Sequence, residues 1–201
     1  MVAVNGETSG RWYAHRRMLT RMKVDPEGKL VLRDQPRINS KTVDLDALRR
    51  LPKNTLGFAY TRFLDVNKVT PDSRLPVRFV DDPELAYVMQ RYRETHDLVH
   101  TVLGMRTNMQ GEVAVKWVEG IQTGLPMCLG GALLAPLRYN PRQRENYVTR
   151  YLEWALKNGF KSRFLLAAYF EKRWDQDLDE FRREFRIDPL PNIAATQKKQ
   201  K

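Results

Sequence analysis

Residues 81–104 read DDPELAYVMQRYRETHDLVHTVLG, and this stretch decides the fold class. It opens with a helix start signal, because Asp81 and Asp82 precede Pro83, a residue favoured in the first helical turn. Apolar or imidazole side chains then recur every three or four residues, at Leu85, Val88, Tyr92, His96, Val99 and Leu103. Gly104 is a suitable helix stop. The pattern predicts one long helix with a buried stripe.

Helical patterns continue on both sides of this segment. Asp44 can cap a short helix through Leu51, and residues 55–67 carry a broad apolar stripe. Beyond a proline-containing loop at 68–80, helices are predicted from Asn108 or Gln110 to Thr123, from Asn140 to Gly159, and from Ser162 to about Arg186. No stretch alternates like a strand with hairpin turns. The sequence therefore predicts an all-α, single-domain helical bundle over 1–191 and a flexible basic tail at 192–201.

The composition limits the classes of protein. A chain of 201 residues with 42% hydrophobic residues suits one domain with a sizeable core, and its net charge of +11 favours an anionic partner. The N-terminus lacks the pattern of a secretory signal, and we expect residues 11–23 to form a folded basic helix rather than a cleavable targeting segment. The uncharged run Ile121–Leu137 is interrupted by Pro126, Pro136 and glycines, so no stretch reaches the length of a membrane-spanning helix.

The sequence HDLVH at 96–100 carries the chemical signal. On a helix, His96 and His100 lie one turn apart on the same face, a spacing that lets two imidazoles bind one metal ion. Asp97 is a further ligand or an acceptor that orients an imidazole, and Glu112 can fold back from the next helix. Two histidines with one or two carboxylates leave a coordination position open, as in a catalytic site. The alternative is a pair of core histidines with ordinary hydrogen bonds.

Better-known classes fit less well. Metalloproteases of the HExxH type carry Glu as the general base, where this chain has Asp97. Phosphohydrolases built on an HD dipeptide need further His and Asp ligands, and His15 is the only other histidine. The single cysteine, Cys128, excludes an internal disulfide and a cysteine-cluster zinc site. No nucleic-acid-binding motif accompanies the positive charge, so we expect no nucleic-acid partner.

The segment from HDLVH through eleven residues to Glu112 resembles the HDxxH(x11)E signature of the coenzyme Q (ubiquinone) biosynthesis family, the fourth member of that series. The stretches RFLDVN at 62–67, RFVDDPELAYVMQRYRETHD at 78–97, GEVAVKWVEGIQTGLPMC at 111–128 and YFEKRWDQ at 169–176 are similar as well. The resemblance runs from about Val2 to Pro191. Eukaryotic members normally carry an upstream mitochondrial targeting segment, so we expect a trimmed chain or a short isoform.

The resemblance implies a zinc site, Zn²⁺ held by His96, Asp97, His100 and Glu112, which would also be the catalytic residues. It implies removal of the ring carboxylate from a polyprenylated 4-hydroxybenzoate-type intermediate, either alone or with hydroxylation at the same carbon. It further implies membership of the multi-subunit complex of coenzyme Q biosynthesis proteins, peripheral on the matrix side of the mitochondrial inner membrane. The alternative is a non-catalytic lipid-binding scaffold that organises the other enzymes. A homo-oligomer is an open alternative to a monomer.

A polyprenylated lipid substrate needs an apolar channel and access to the bilayer. Ile121–Leu137 is the candidate wall of that channel, and an ordinary buried helix and turn is the alternative. Basic side chains can rest on the anionic inner-membrane surface or simply face solvent; they are Arg11, Arg16, Arg17, Arg21 and Lys23.

Overall fold

The computed structural model describes residues 7, 8, 10, 13–73 and 75–190. The α-helices are α1 (Ala14–Val24), α2 (Pro26–Asp34), α3 (Leu45–Arg49), α4 (Leu56–Asn67), α5 (Pro83–Leu103), α6 (Met109–Thr123), α7 (Pro126–Leu134), α8 (Pro141–Asn146), α9 (Glu153–Lys161) and α10 (Leu178–Glu184). Over these described ranges the β-type pairing is an isolated bridge between Thr55 and Asp177. The prediction of an all-α single domain is confirmed.

The long helix α5 forms as its sequence predicts. The Asp82 side chain accepts a hydrogen bond from the backbone N–H of Leu85, Pro83 occupies the first turn, and Gly104 ends the helix with φ at 66°. Nearly the whole helix is buried rather than a single stripe, because other elements surround it. Its buried charges are therefore paired: Arg91 donates to both carboxylate oxygens of Glu171, at 2.7 and 3.0 Å.

Two hydrophobic clusters share α5. One lies against α4, α6 and α9 and includes Tyr60, Val99, Val118, Trp154 and Phe181. The other lies against α1, α2 and α7 and includes Met18, Val31, Val88 and Cys128. The central helix thus holds its histidine turn between both clusters, where side chains have little room to move.

Two downstream helices differ from the prediction. The segment predicted as one helix to Gly159 contains a π-helix at Tyr147–Leu152 between α8 and α9, and it ends at Lys161. Gly159 is no stop signal: a Cβ there would lie 2.7 Å from Cδ1 of Ile121, so the missing side chain lets α9 pack closely on α6.

The prediction of one continuous helix from Ser162 to about Arg186 is wrong. The chain makes short 3₁₀ turns at Leu165–Ala167 and Phe170–Lys172 before α10. Residues 164–170 are all buried, so their buried positions do not recur every three or four residues as they would on one face of a helix. Side chains from elsewhere bind the backbone instead: Gln122 accepts from Leu165 N–H at 3.0 Å, and Arg91 donates to the Ala168 carbonyl at 2.8 Å.

The predicted basic N-terminal helix is confirmed as α1. Two of its arginines bind backbone carbonyls of another helix. Arg17 donates to the carbonyl of Ile121 at 3.2 Å, and Arg21 donates to that of Gln122 at 2.5 Å. Both therefore satisfy the C-terminal end of α6 rather than lie on an outer surface. Arg16 is exposed. Arg11 and the predicted tail at 192–201 lie outside the described residues.

The run Ile121–Leu137 is divided among three elements and is only partly buried. It contains the end of α6, the short helix α7 and a 3₁₀ turn at Ala135–Arg138. Cys128 and Ala132 of α7 are buried, whereas Leu133 and Leu134 at its end are 61% and 64% exposed. Leu137 in the following turn is 73% exposed. Across the described residues no helix is both long and apolar enough to span a membrane.

Candidate metal centre

Helix α5 brings His96 and His100 together inside the protein. The two ring centroids are 4.8 Å apart and nearly perpendicular, as expected for side chains one helical turn apart. His96 is 8% exposed and His100 is 1% exposed. Burying two imidazoles is unfavourable unless each ring nitrogen has a partner, so their surroundings decide what they do.

Glu112 reaches the histidine pair from the next helix. The chain turns at Gly104, and the Asn108 side chain accepts from Gly111 N–H to start α6, which places Glu112 in its first turn. One carboxylate oxygen lies 3.3 Å from His100 Nε2 and the other lies 3.9 Å from His96 Nε2. One ligand atom from each residue falls within 4.8 Å of the others. The predicted return of Glu112 is confirmed.

A second set of groups orients the imidazoles. His96 Nδ1 lies 2.8 Å from Glu119 Oε1, and because a carboxylate only accepts, the Nδ1–H must donate. His100 Nδ1 lies 3.2 Å from the Met105 carbonyl and donates to it in the same way. Each imidazole therefore carries its proton on Nδ1. This leaves the Nε2 lone pair of each ring available to a metal ion, because histidine ligands usually donate their other ring N–H to a nearby acceptor.

The residues fit a divalent metal ion. Nε2 of His100 is buried and has no aligned hydrogen-bond partner among the described residues, although Glu112 lies close by. A buried nitrogen lone pair without a donor is costly, and a metal ion would satisfy it. Two imidazole nitrogens and a carboxylate oxygen suit Zn²⁺ and leave room for a fourth ligand. Glu112 is 32% exposed, so solvent and ligands can reach that side.

Charges around the site favour ionised carboxylates. Burial raises the pKa of Glu112, but protonated imidazoles reverse this effect: hydrogen bonding and charge from His100, with charge from His96 and Lys116, lower that pKa. Burial likewise opposes ionisation of Glu119, yet the charge and hydrogen bond of His96 lower its pKa overall. Both carboxylates are therefore available as anions, one as a ligand and one as an acceptor.

Asp97 was predicted as a further ligand or as an acceptor that orients an imidazole, whereas Glu119 was not predicted. Asp97 is buried beside His96, and its carboxylate lies outside the set of ligand atoms that converge. Glu119 was missed by the sequence reasoning. Its signal was an acidic residue two helical turns after Glu112, directly after the mostly apolar segment 113–118. Such a spacing places both carboxylates on one face of α6.

The fold and the site define an all-α protein with a buried site of two histidines and one glutamate, oriented by a second glutamate. Residues 1–191 match the family described as coenzyme Q (ubiquinone) biosynthesis protein Coq4. The chain therefore belongs to the Coq4 family of ubiquinone biosynthesis proteins.

Curated relatives share about half of their residues with this chain. The mitochondrial ubiquinone biosynthesis protein COQ4 homolog of Aedes aegypti is 55% identical over 190 residues, which are 94% of this chain and 69% of that protein. The homolog of Xenopus laevis is 53% identical over 97% of this chain and 68% of its own length.

A solved structure shares the fold. A Nostoc punctiforme crystal structure, described provisionally as a ubiquinone biosynthesis protein, superposes with a TM-score of 0.72 at 21% identity. The similarity covers 92% of this chain and 87% of that one.

Proposed function

We propose that the protein binds one Zn²⁺ ion through His96, His100 and Glu112, with Asp97 beside it, and removes the ring carboxylate from a polyprenylated 4-hydroxybenzoate-type intermediate of ubiquinone biosynthesis. The observation that carries the proposal is the buried Nε2 of His100, which faces Glu112 without a hydrogen-bond donor. Buried polar atoms without a hydrogen-bond partner are few in folded proteins, and a bound metal ion would account for this one.

Decarboxylation requires that negative charge on the substrate is neutralised and that a proton is delivered to the ring carbon. The bond between the ring carbon and the carboxyl carbon breaks, carbon dioxide leaves, and the ring carbon takes a proton. A bound zinc ion supplies a Lewis acid that can neutralise negative charge on the substrate. Asp97 or Glu112 can pass a proton to the ring carbon, because a carboxylate that takes up a proton can act as a general acid. His96 and His100 are themselves shielded from bulk water, whereas Glu112 lies on a side that solvent and substrate can reach.

Hydroxylation at the same carbon is the oxidative form of the step. One oxygen atom of O₂ would replace the carboxylate, and the other would leave as water with two protons and two electrons from a reductant. Zinc has no redox chemistry, so O₂ and the reductant would both be co-reactants.

The mitochondrial names of the relatives and one exposed surface support a proposed cellular setting. We place the protein peripherally on the matrix side of the mitochondrial inner membrane, in a complex with other coenzyme Q biosynthesis proteins. The exposed leucines Leu133, Leu134 and Leu137, with Arg138 next to them, suit a bilayer surface that is apolar inside and anionic at its headgroups.

The test is release of carbon dioxide from a defined substrate. Purified protein is supplied with zinc and a short-tailed 3-prenyl-4-hydroxybenzoate labelled with ¹³C in its carboxyl group. Labelled carbon dioxide from the wild type, and none from folded His100→Ala, is the expected result. Equal release from both proteins would contradict the proposed site.

A second candidate function is a non-catalytic scaffold that presents the lipid to other enzymes. The same exposed leucines favour it, since a lipid-presenting protein needs an apolar surface but no reactive group. Unchanged substrate with zinc, with other divalent metals and with O₂ plus a reductant would support the scaffold.

A further inference from the structure

Lys116 lies between the two glutamates of the metal centre. It follows Glu112 by four residues and precedes Glu119 by three on α6, so the three side chains share one face of the helix. The residue is only partly exposed, unlike most lysines. The position is one helical turn from Glu112, the partly exposed residue of the site.

A glycine on the neighbouring helix makes room for Lys116. A Cβ atom at Gly131 of α7 would lie 2.8 Å from Cδ of Lys116 and 3.4 Å from Cε. Any side chain at this position would push the lysine stem aside. Gly130 differs, because a Cβ there would meet nothing within 4 Å. The missing side chain of Gly131 therefore matters for Lys116 in a way that Gly130 does not.

The Lys116 ammonium interacts with both carboxylates through its charge rather than through a close ion pair. Its charge contributes to lowering the pKa of Glu112 and that of Glu119. In the part of the chain that the structure describes, no hydrogen bond and no ion pair within 4.0 Å is recorded for the Lys116 ammonium. Its three N–H donors are thus available to an incoming anion.

We propose that Lys116 binds the carboxylate of the aromatic acid beside the metal centre, and that Gly131 holds it in position to do so. The inference rests on the proposed function, since it names how the site selects an acid. Lys116 is a specificity-determining residue here: it recognises the negative charge of the substrate and leaves zinc binding to the three ligands. The same charge offsets the two glutamates, which would otherwise repel an anion.

The test compares an acid with its neutral equivalent. Binding of short-tailed 3-prenyl-4-hydroxybenzoate and of the corresponding benzamide is measured by calorimetry on the full chain, with and without zinc. The wild type should bind the acid at least tenfold more tightly than the amide. Lys116→Met should bring the ratio close to one, and Lys116→Arg should keep most of it.

Substitutions at Gly131 and Gly130 provide a test variant and its matched control. Gly131→Ala should reduce the preference for the acid severalfold, because the new methyl group displaces the lysine stem. Gly130→Ala makes the same chemical change one residue earlier on α7, so it should leave the preference unchanged. Circular dichroism and melting temperature show that each variant is folded.

The outcomes separate this inference from the proposed function. An unchanged acid-to-amide ratio in Lys116→Met would overturn the role of Lys116, even if the protein released carbon dioxide. Equal weakening of acid and amide would also overturn it, since that result indicates a general effect on the site. Loss of the acid preference would support the inference even if the wild type released no carbon dioxide.

Discussion

His96 donates its Nδ1–H to Glu119 at 2.8 Å, and Glu119 lies seven residues after Glu112 on the same helix. Helix α6 therefore carries both the carboxylate that faces the Nε2 atoms and the carboxylate that fixes one of the rings. The Glu119 side chain is 4% exposed and also accepts from the Tyr92 hydroxyl at 2.9 Å. A carboxylate held at both oxygens is a rigid acceptor, which sets the orientation of the imidazole.

Glu119→Gln should weaken zinc binding without removing it. The amide can still accept from His96, but it lacks the charge that makes the imidazole a better ligand, and losses of about 10–100-fold are typical of such changes. Zinc affinity is measured by competition with a chromophoric chelator. Exposed Glu145→Gln is the control and should bind zinc like the wild type. Unaltered affinity in Glu119→Gln would contradict the orienting role.

Glu7 should make the protein sensitive to acid. Burial raises the pKa of this carboxyl, but hydrogen bonds from the backbone of Arg78 and Phe79 and from Arg93 lower it below its usual 4.5. A lowered folded-state pKa contributes stability above the unfolded value, which is lost as the pH falls through the folded value. The free energy of unfolding, measured by urea titration, should therefore fall more steeply below about pH 4.5 in the wild type than in Glu7→Gln. Parallel curves for the two proteins would contradict this.

Arg91 and Arg49 should differ in their contributions to stability. Arg91 is fully buried and donates two hydrogen bonds to the Glu171 carboxylate. Arg91→Met leaves that carboxylate without its partner and should lower the free energy of unfolding by roughly 3–5 kcal/mol. Arg49 pairs with Asp46 and Asp65 at the surface, so Arg49→Met should cost less than about 1 kcal/mol. Urea unfolding of both variants measures the difference. Similar costs would show that burial of the pair is not what matters.

Local signals predicted much of the fold and only part of the site. Asp82, Pro83 and Gly104 define α5 because caps and stops act within a few residues of the chain. The region after Ser162 could not be predicted in this way, since its backbone is held by the distant side chains Gln122 and Arg91. A long-range partner of this kind leaves no trace in local spacing.

The site was likewise predicted where local spacing determines it and missed where long-range packing does. The spacing of His96 and His100 on one helix was enough to place them together, and a helical hairpin was enough to return Glu112. Glu119 was missed because its local signal, the spacing of two turns from Glu112, does not mark it as the partner of His96, 23 residues away. The contact between Lys116 and Gly131 depends on how α6 and α7 pack, which the sequence pattern does not specify.

The most direct test of the central claim is the zinc content of the protein and its carbon dioxide release, measured on one sample. Elemental analysis should give about one zinc per wild-type chain, and the labelled substrate should lose its carboxyl group. His100→Ala should lose both zinc and turnover. His15→Ala, which removes the histidine outside the site, should keep both as long as it folds. Turnover by zinc-free His100→Ala at the wild-type rate would contradict the account.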